Sequence, residues 1–415
     1  MTGRLLVVGG EDHDLRIPFL LRLSGLGYDV AAAGTGDPAP FARAGLEYHP
    51  FRFGRFIGPM QDWRSVGTLA KMFRLVRPDI VQCFDTKPNL LVPLAARRSH
   101  GHSRSHEGAV PVVRTINGMG WVFSSDGWSA LALRPIYRAL HRVAARSTAA
   151  TVFQNREDQD DFERHGMVGS GRSQHIPGSG VDAAAFVRVR DAGPAPGVLR
   201  EQLGLGGAEI VITVTRLTRQ KGIPALLQAA ALVHAVRPGV RFLLVGPRQS
   251  EGPLAVTQAE LDAHTPYVIT TGPRADVPSL LGLADVFVFP TEYREGVPRA
   301  VLEAALAGLP IVATRMPGCT DIVRDGWSGR LVPPRNPAAL ADAILAMLCD
   351  RAAAVAMGRN AAELVQQAFT LDLVVARYAA LYADLLRVRP IPRPSPEPGA
   401  MQGAMQGVMQ GVGPC

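Results

Sequence analysis

Residues 284–314, ADVFVFPTEYREGVPRAVLEAALAGLPIVAT, constrain the fold more tightly than any other stretch of the chain. A short apolar run, Val286 to Phe289, ends at Pro290 and a polar turn. Glu295-Gly-Val-Pro then opens a helical pattern, Gly308-Leu-Pro closes it, and Ile311-Val-Ala begins another strand. Strand, helix and strand in such short succession belong to a parallel sheet covered by helices. Glu295 and Glu303 lie eight residues apart, slightly more than two helical turns, or ~12 Å along an axis that rises about 1.5 Å per residue. With Glu295 at the helix mouth and Glu303 on its face, the pair can span a nucleotide sugar. The free N–H groups of Gly296 and Val297, at the positive end of the helix dipole, suit a diphosphate. The same letters also describe an ordinary α/β helix with one dipole-favoured Glu and one solvated Glu, and geometry alone does not separate the two.

Alternation extends this pattern over the chain. Apolar runs at Leu5–Val8, Tyr28–Ala33, Ile80–Cys83, Val110–Arg114 and Ala149–Phe153 alternate with helical patterns such as Leu15–Gly25 and Asp62–Val76. The second half repeats the theme at Val211–Thr215, Phe242–Val245, Tyr267–Thr271, Val286–Phe289 and Ile311–Ala313. Parallel sheets of this kind bind ligands at the carboxyl ends of their strands. Val211–Thr215 is followed there by Arg216-Leu-Thr-Arg-Gln-Lys221-Gly222, two cations that are either a solvated turn or a clamp on a diphosphate. Between the halves, Val187-Arg-Val-Arg-Asp-Ala-Gly-Pro-Ala-Pro-Gly197 reads as a Pro/Gly-rich connection. With 415 residues the chain is too long for a single core.

Composition narrows the class. No uninterrupted apolar run approaches the ~18–20 residues of a membrane span, and Leu5–Val8 is too short for the core of a signal peptide. Cys83, Cys319, Cys349 and Cys415 show no paired spacing, which fits a reducing, cytosolic setting and argues against a zinc site or disulfide framework. Residues 41–150 hold 16 Lys/Arg and 6 Asp/Glu, a net +10 against +8 for the whole chain. Arg134, Arg138, Arg142 and Arg146 repeat at i+4 on one predicted helix, 131–147, with Ile136, Tyr137, Leu140 and Val143 on another face. Such a helix suits an anionic membrane surface or a lipid diphosphate, or is simply a solvated face. Nucleic acid is disfavoured, since neither aromatic interleaving nor a known binding module accompanies the charge. The loop Ser99–Gly108 with three His reads as a solvated insertion without the companions a metal needs. Residues 389–415, Pro-rich and then repeating Met-Gln-Gly, read as a disordered tail.

The Glu295–Glu303 cassette and its Arg216/Lys221 partner resemble the glutamate–seven–glutamate signature and diphosphate clamp of family 4 retaining glycosyltransferases. His175-Ile-Pro-Gly-Ser-Gly-Val-Asp182 with Phe186 is similar to the interdomain signature of that family. The resemblance runs from about residue 4 to about 388. It implies a GT-B fold: an N-terminal acceptor domain (1–186), a connection (187–197), a donor domain (198–370), a helix crossing back (371–388) and the tail. Within the family, the chain resembles bacterial transferases that add an N-acetylhexosamine to undecaprenyl-diphosphate-linked sugars. That likeness rests on Asp14-Leu-Arg16-Ile-Pro, Thr86-Lys87-Pro-Asn89, Asn117-Gly-Met-Gly120 with Phe123 and Asp126-Gly127, and Pro317-Gly-Cys319.

The resemblance implies a catalytic set of Glu295, Arg216 and Lys221, with Glu303, Gly296, Val297 and Gly10 on the nucleotide sugar. Glu295 would hold the transferred sugar and Glu303 the ribose. Arg16 and Lys87, at the carboxyl edge of the first sheet with Asn89 and Asn117 nearby, form a seat for the acceptor diphosphate. The alternative is that they pair with acids such as Asp14 and Asp85. Many family members carry a His in the loop that here reads Arg114-Thr-Ile-Asn117-Gly118. Asn117 cannot serve as a general base, which leaves the departing phosphate oxygen to take the acceptor proton. The expectation is a UDP-sugar-dependent transferase with no metal or other cofactor, acting on a polyprenyl-diphosphate sugar at the cytoplasmic membrane face. A soluble transferase on a small acceptor and a silent nucleotide-sugar-binding scaffold are the competing readings.

Overall fold

The computed structural model describes residues 3–387 apart from 11, 52, 54–57, 100–109, 126, 250, 251 and 253. The C-terminal tail, nearly all of the His-containing loop and Asp126 therefore lie outside the described residues.

Two parallel sheets organise the chain. The first comprises β1 (Arg4–Val8), β2 (Asp29–Gly34), β3 (Glu47–Pro50), β4 (Ile80–Phe84), β5 (Val112–Ile116), β6 (Ala150–Phe153) and β7 (Arg172–His175), in the order β3-β2-β1-β4-β5-β6-β7. The second comprises β8 (Glu209–Val214), β9 (Val240–Val245), β10 (Val268–Gly272), β11 (Val286–Phe289), β12 (Ile311–Thr314) and β13 (Arg330–Val332), in the order β10-β9-β8-β11-β12-β13. In each, the order reverses beside the first strand, between β1 and β4 and between β8 and β11. Those switch points are where open sheets of this type leave a crevice. β4, β5, β6, β11 and β12 are buried at every position, as expected of strands covered by helices on both faces. Apolar cores line both faces of each sheet.

The last helix, Leu371–Arg387, belongs to the first core although it follows the second sheet. Leu371, Val374, Val375, Tyr378 and Tyr382 pack with Leu5, Val7 and Phe19. Its two buried phenols find polar partners in the first sheet: Tyr378 Oη lies 2.9 Å from Thr115 Oγ1, and Tyr382 Oη donates to Gln82 Oε1 at 2.9 Å. Buried tyrosines need such partners.

Most of 187–197 is helical: a helix spans Ala183–Ala192, capped by Asp182 accepting from the Ala185 amide at 2.9 Å, and another spans Pro196–Gln202. An Asp N-cap and a Pro at a helix start are strong initiators, and Phe186 anchors the first of these helices in the second core. The helix expected to open at Glu295 begins only at Arg299 and runs to Leu306, with Pro298 as its extended N-cap. A proline steers the residue before it away from helical angles. Glu295 therefore sits in the loop after β11, and only Glu303 is helical.

Candidate active site between the two sheets

In the second domain, two loops meet at the carboxyl ends of β8 and β11. Lys221 closes a 3₁₀ turn, Arg219–Lys221, and its Nζ lies 2.6 Å from Glu295 Oε2. The other carboxylate oxygen, Oε1, accepts from Thr291 Oγ1 at 2.9 Å. Both charged side chains are largely buried, with 12% and 18% of their surface exposed. Lys221 also stands 5.6 Å and 5.8 Å above the rings of Phe289 and Tyr293. The turn is brought in by Gly222, with φ +71°, where a Cβ would come within 1.9 Å of the Pro290 carbonyl. Only glycine permits that approach. Arg216 sits exposed beyond β8, near enough for its charge to act on Tyr293. Glu303 is largely buried on its helix and pairs with the more exposed Arg299, Nε at 2.8 Å.

The loop carrying Glu295 is gripped by the first domain. The Gly296 amide donates to the Asn117 carbonyl at 2.8 Å and the Gly120 amide to the Arg294 carbonyl at 3.2 Å. The Arg294 amide donates to Ser124 Oγ at 2.7 Å, and its guanidinium to the fully buried Asp158 at 2.8 Å. Asn155 Nδ2 donates to the Glu295 carbonyl at 3.3 Å. Gly118, with φ +104°, fits against this loop because a Cβ there would sit 2.5 Å from the Glu295 carbonyl carbon. This corrects the expectation of a free Gly296 N–H: that donor is occupied by Asn117. Tyr293 completes the contact from the second domain, and burial, then the charge of Glu295, push its phenol above the usual range.

On the facing side, the residues converge on Asp85, which sequence alone offers only as an ion-pair partner. Its Oδ2 accepts from the Gly10 amide at 2.8 Å, and its Oδ1 from Arg16 at 3.1 Å and Asn117 Nδ2 at 3.0 Å. Asp85 adopts φ +71°, a strained region for a residue with a Cβ, held in place by these contacts. The available signal was positional: Asp85 follows β4 directly, as Glu295 closely follows β11. Arg16 also stacks 4.5 Å over Phe84. A cavity of about 230 Å³ opens here, bounded by Arg16, Asp85, Asp182, Val297, Arg299 and Tyr378. Arg299 was not anticipated. Lys87 does not join the cluster, because it is drawn 2.8 Å from Asp62 on the neighbouring helix Pro59–Val76. Asn89 is buried and donates to the Thr115 carbonyl at 2.7 Å.

The arginine row expected to face an anionic membrane surface, or simply solvent, is partly turned inward. On the helix Trp128–Ala145, Arg134 donates to the carbonyls of Val122 (3.0 Å) and Ser125 (3.1 Å), and Arg142 to that of His165 (2.8 Å). Arg134 and Arg138 both lie 5.6 Å from the Phe123 ring. For Arg134 the reason is local: the carbonyls of Val122 and Ser125, just before the helix, lie within reach of its guanidinium. The outward face combines the exposed Arg142 and Arg146 with exposed apolar side chains, Trp128 (84% exposed), Leu131, Ile136, Leu140 and Val143. Among the described residues no helix is long and apolar enough to cross a membrane, and no group of three or more His, Cys, Asp or Glu is arranged to hold a metal ion.

Comparison with known proteins agrees with this geometry. Residues 20–177 match the glycosyl transferase 4-like domain and residues 208–350 the glycosyl transferases group 1 domain. The chain is 24% identical, over 83% of its length and 87% of the relative's, to the Campylobacter jejuni N,N'-diacetylbacillosaminyl-diphospho-undecaprenol alpha-1,3-N-acetylgalactosaminyltransferase. It is 26% identical, over 80% of its length and 82% of the relative's, to the Escherichia coli UDP-Gal:alpha-D-GlcNAc-diphosphoundecaprenol alpha-1,3-galactosyltransferase. In fold it is similar to Anabaena HepE in complex with UDP-glucose (TM-score 0.71, 19% identity, 92% of this chain and 100% of that one). Sucrose-phosphate synthase from Thermosynechococcus elongatus is as close (TM-score 0.72, 18% identity, 92% and 99%). Two sheets facing one crevice, with a domain match on either side of it, make this chain a GT-B hexosyltransferase of the family 4-like, group 1 glycosyltransferases.

Proposed function

We propose that the chain is a retaining transferase that moves an N-acetylhexosamine from a UDP-sugar to a polyprenyl-diphosphate-linked sugar in surface-glycan assembly. The observation that carries this reading is the Lys221–Glu295 contact at the switch point of the second sheet, facing the Asp85–Arg16–Asn117 cluster of the first. Two relatives whose names specify undecaprenyl-diphosphate acceptors support the acceptor class.

In this reading Arg216 and Lys221 hold the diphosphate, and Lys221 hands its charge from Glu295 to the β-phosphate as substrate enters. The acceptor hydroxyl oxygen bonds to the anomeric carbon on the face from which the C1–O bond to the β-phosphate breaks. Its proton passes to the departing phosphate oxygen, giving the glycoside and UDP. Cations placed where negative charge grows stabilise the transition state more than the ground state. Glu295, released from Lys221, orients hydroxyls of the transferred sugar, and Glu303 accepts from the ribose. Arg16, restrained by Asp85, meets the acceptor diphosphate. Charge neutralisation is thus assigned to side chains, so activity should survive a metal chelator.

The protein would work as a peripheral enzyme on the cytoplasmic membrane face. The apolar face Trp128–Val143 would enter the interface, and the exposed Arg146 would lie at the anionic headgroups. The test is a panel of UDP- and GDP-sugars with a short polyprenyl-diphosphate N-acetylhexosamine, followed by product analysis including anomeric configuration. A product of inverted configuration, or transfer only to small soluble acceptors, would overturn it.

A further inference from the structure

We propose that a cavity beneath the Asn117–Gly120 loop is the seat of an acetamido group, so that this pocket makes the enzyme select a 2-acetamido sugar. The inference rests on the transferase reading above and names the subsite for it. The cavity measures about 140 Å³ and is lined by Asn89, Ile116, Asn117, Tyr137 and His141 from the first domain and by Tyr293 from the second. It therefore takes its full shape only when the domains meet.

Three of those residues keep a buried polar atom with no partner among the described residues: Asn89 Oδ1, Asn117 Oδ1 and His141 Nε2. Asn89 and His141 are 2% and 0% exposed. Unpaired polar atoms at such depth are rare in folded proteins and call for a ligand or water. Their polarity is fixed by the opposite end of each side chain. The Asn89 amide nitrogen donates to the Thr115 carbonyl and that of Asn117 to the Asp85 carboxylate. Both partners only accept, so each Asn is left presenting an oxygen. His141 Nδ1 lies 3.4 Å from the Arg114 guanidinium, which can only donate. Nδ1 is thus the acceptor, and the ring proton sits on Nε2. Burial, then the neighbouring Arg114 charge, hold the imidazole neutral, its pKa well below the usual value.

This gives Arg114 a purpose. It is a fully buried cation in mid-strand that donates to Thr151 Oγ1 (3.0 Å) and the Met167 carbonyl (2.9 Å) and has no acid among its hydrogen-bond partners. It locks the tautomer that turns His141 into an N–H donor. In its unpartnered buried atoms the wall therefore offers one N–H donor and two oxygen acceptors, beside the apolar surfaces of Ile116 and Tyr137, with Asp85 and Thr86 also at its rim. A secondary amide offers the complementary pair: its N–H can meet one Asn oxygen, its carbonyl can meet His141 Nε2, and its methyl can meet the apolar side, while a neighbouring sugar hydroxyl can donate to the other Asn oxygen. Both the transferred sugar and the acceptor sugar can bring this group, and the test separates them.

The full-length protein is titrated calorimetrically in two arms. The donor arm compares UDP-N-acetylglucosamine and UDP-N-acetylgalactosamine with UDP-glucose and UDP-galactose. The acceptor arm, with UDP saturating, compares farnesyl-diphosphate N-acetylglucosamine with farnesyl-diphosphate glucose. The wild type is expected to favour the acetamido ligand by at least ~10-fold in one arm, since a site built to hydrogen-bond a group rejects analogues lacking it. His141→Leu and Asn89→Ser, each checked for fold by thermal melting, should lose most of that preference. His141→Gln, which keeps an N–H on the same side, should restore it. The inference is overturned by absence of preference in both arms, as water occupancy alone would give, or by a preference that survives both substitutions. Transfer is measured in parallel: a preference that behaves as stated while no product forms on any lipid-diphosphate acceptor would sink the transferase reading and leave the pocket standing.

Discussion

Glu295 Oε2 and Lys221 Nζ lie 2.6 Å apart at the ends of two neighbouring strands, and the loop that carries the glutamate is held by backbone bonds to the opposite domain. A buried pair of this kind costs desolvation for both charges, and removing either partner leaves the other exposed to that penalty. Such a contact makes sense where an anionic ligand will replace one partner of the pair.

The two glutamates should fail differently. Glu295→Gln weakens the hold on Lys221 and on sugar hydroxyls, and is expected to lower kcat. Glu303→Gln should weaken UDP itself, because its role is proposed to lie with the ribose, so its effect appears in KM and in the UDP dissociation constant. UDP titrations on both variants check this. Weaker UDP binding in the Glu295 variant alone would reverse the assignment.

Arg16 and Lys87 should likewise part company. Arg16→Ala is expected to raise the acceptor KM by about 10-fold or more, with UDP binding retained. Asp85→Ala frees Arg16 and Asn117 together and should show the same acceptor defect plus a lower melting temperature. Lys87→Ala, whose partner is Asp62, should act on stability and little on the acceptor. Steady-state kinetics against lipid acceptor, with thermal melts, separate the three.

For the helix Trp128–Ala145 the structure redirects the test from charge to apolar surface. Ile136→Glu with Leu140→Glu should abolish sedimentation with vesicles containing phosphatidylglycerol. Arg134→Ala, which loses two hydrogen bonds to loop carbonyls, should instead destabilise the fold by about 1–3 kcal/mol. Vesicle binding lost with Arg134→Ala and retained in the Glu variant would contradict this.

A pH dependence follows from Asp321, whose carboxyl burial raises from 3.8 to about 6. A folded pKa above the unfolded one means that the folded state holds the proton more tightly. The group's contribution is therefore fully present below pH ~4 and is lost as pH rises through about 6. Asp321→Asn, which can still accept from the Gly318 amide, should raise stability at pH 7.5 by ~1–3 kcal/mol and leave it nearly unchanged at pH 4. Denaturant melts at the two pH values measure the difference.

Much of this architecture was legible as letters. The apolar strand runs and their alternation with helices are buried-strand chemistry, so the central strands β1, β2, β4, β5, β6, β8, β9, β11 and β12, and the edge strand β10, are legible in the sequence. The three that escaped, β3 (EYHP), β7 (RSQH) and β13 (RLV), are short sheet edges. Edge strands carry little of the apolar signal that marks a central strand. Lys221 and Glu295 could be chosen from motif and charge, and they meet. Asp85 could not, because a lone Asp after a strand acquires meaning only when Gly10, Arg16 and Asn117 are folded onto it. Arg134 and Arg138 misled for the opposite reason: helical periodicity shows which residues share a face and is silent on what stands opposite that face. The cavity with His141 was beyond reach, since its unpaired atoms are defined by partners distant in sequence.

The most direct measurement of the central claim is transfer by Lys221→Ala and Arg216→Ala, against wild type, from the preferred UDP-sugar to a short polyprenyl-diphosphate sugar. If these side chains neutralise the leaving diphosphate, each substitution should lower kcat/KM by about a hundred- to a thousand-fold, or ~2–4 kcal/mol of transition-state stabilisation. Turnover within a few-fold of wild type in both variants would contradict the account.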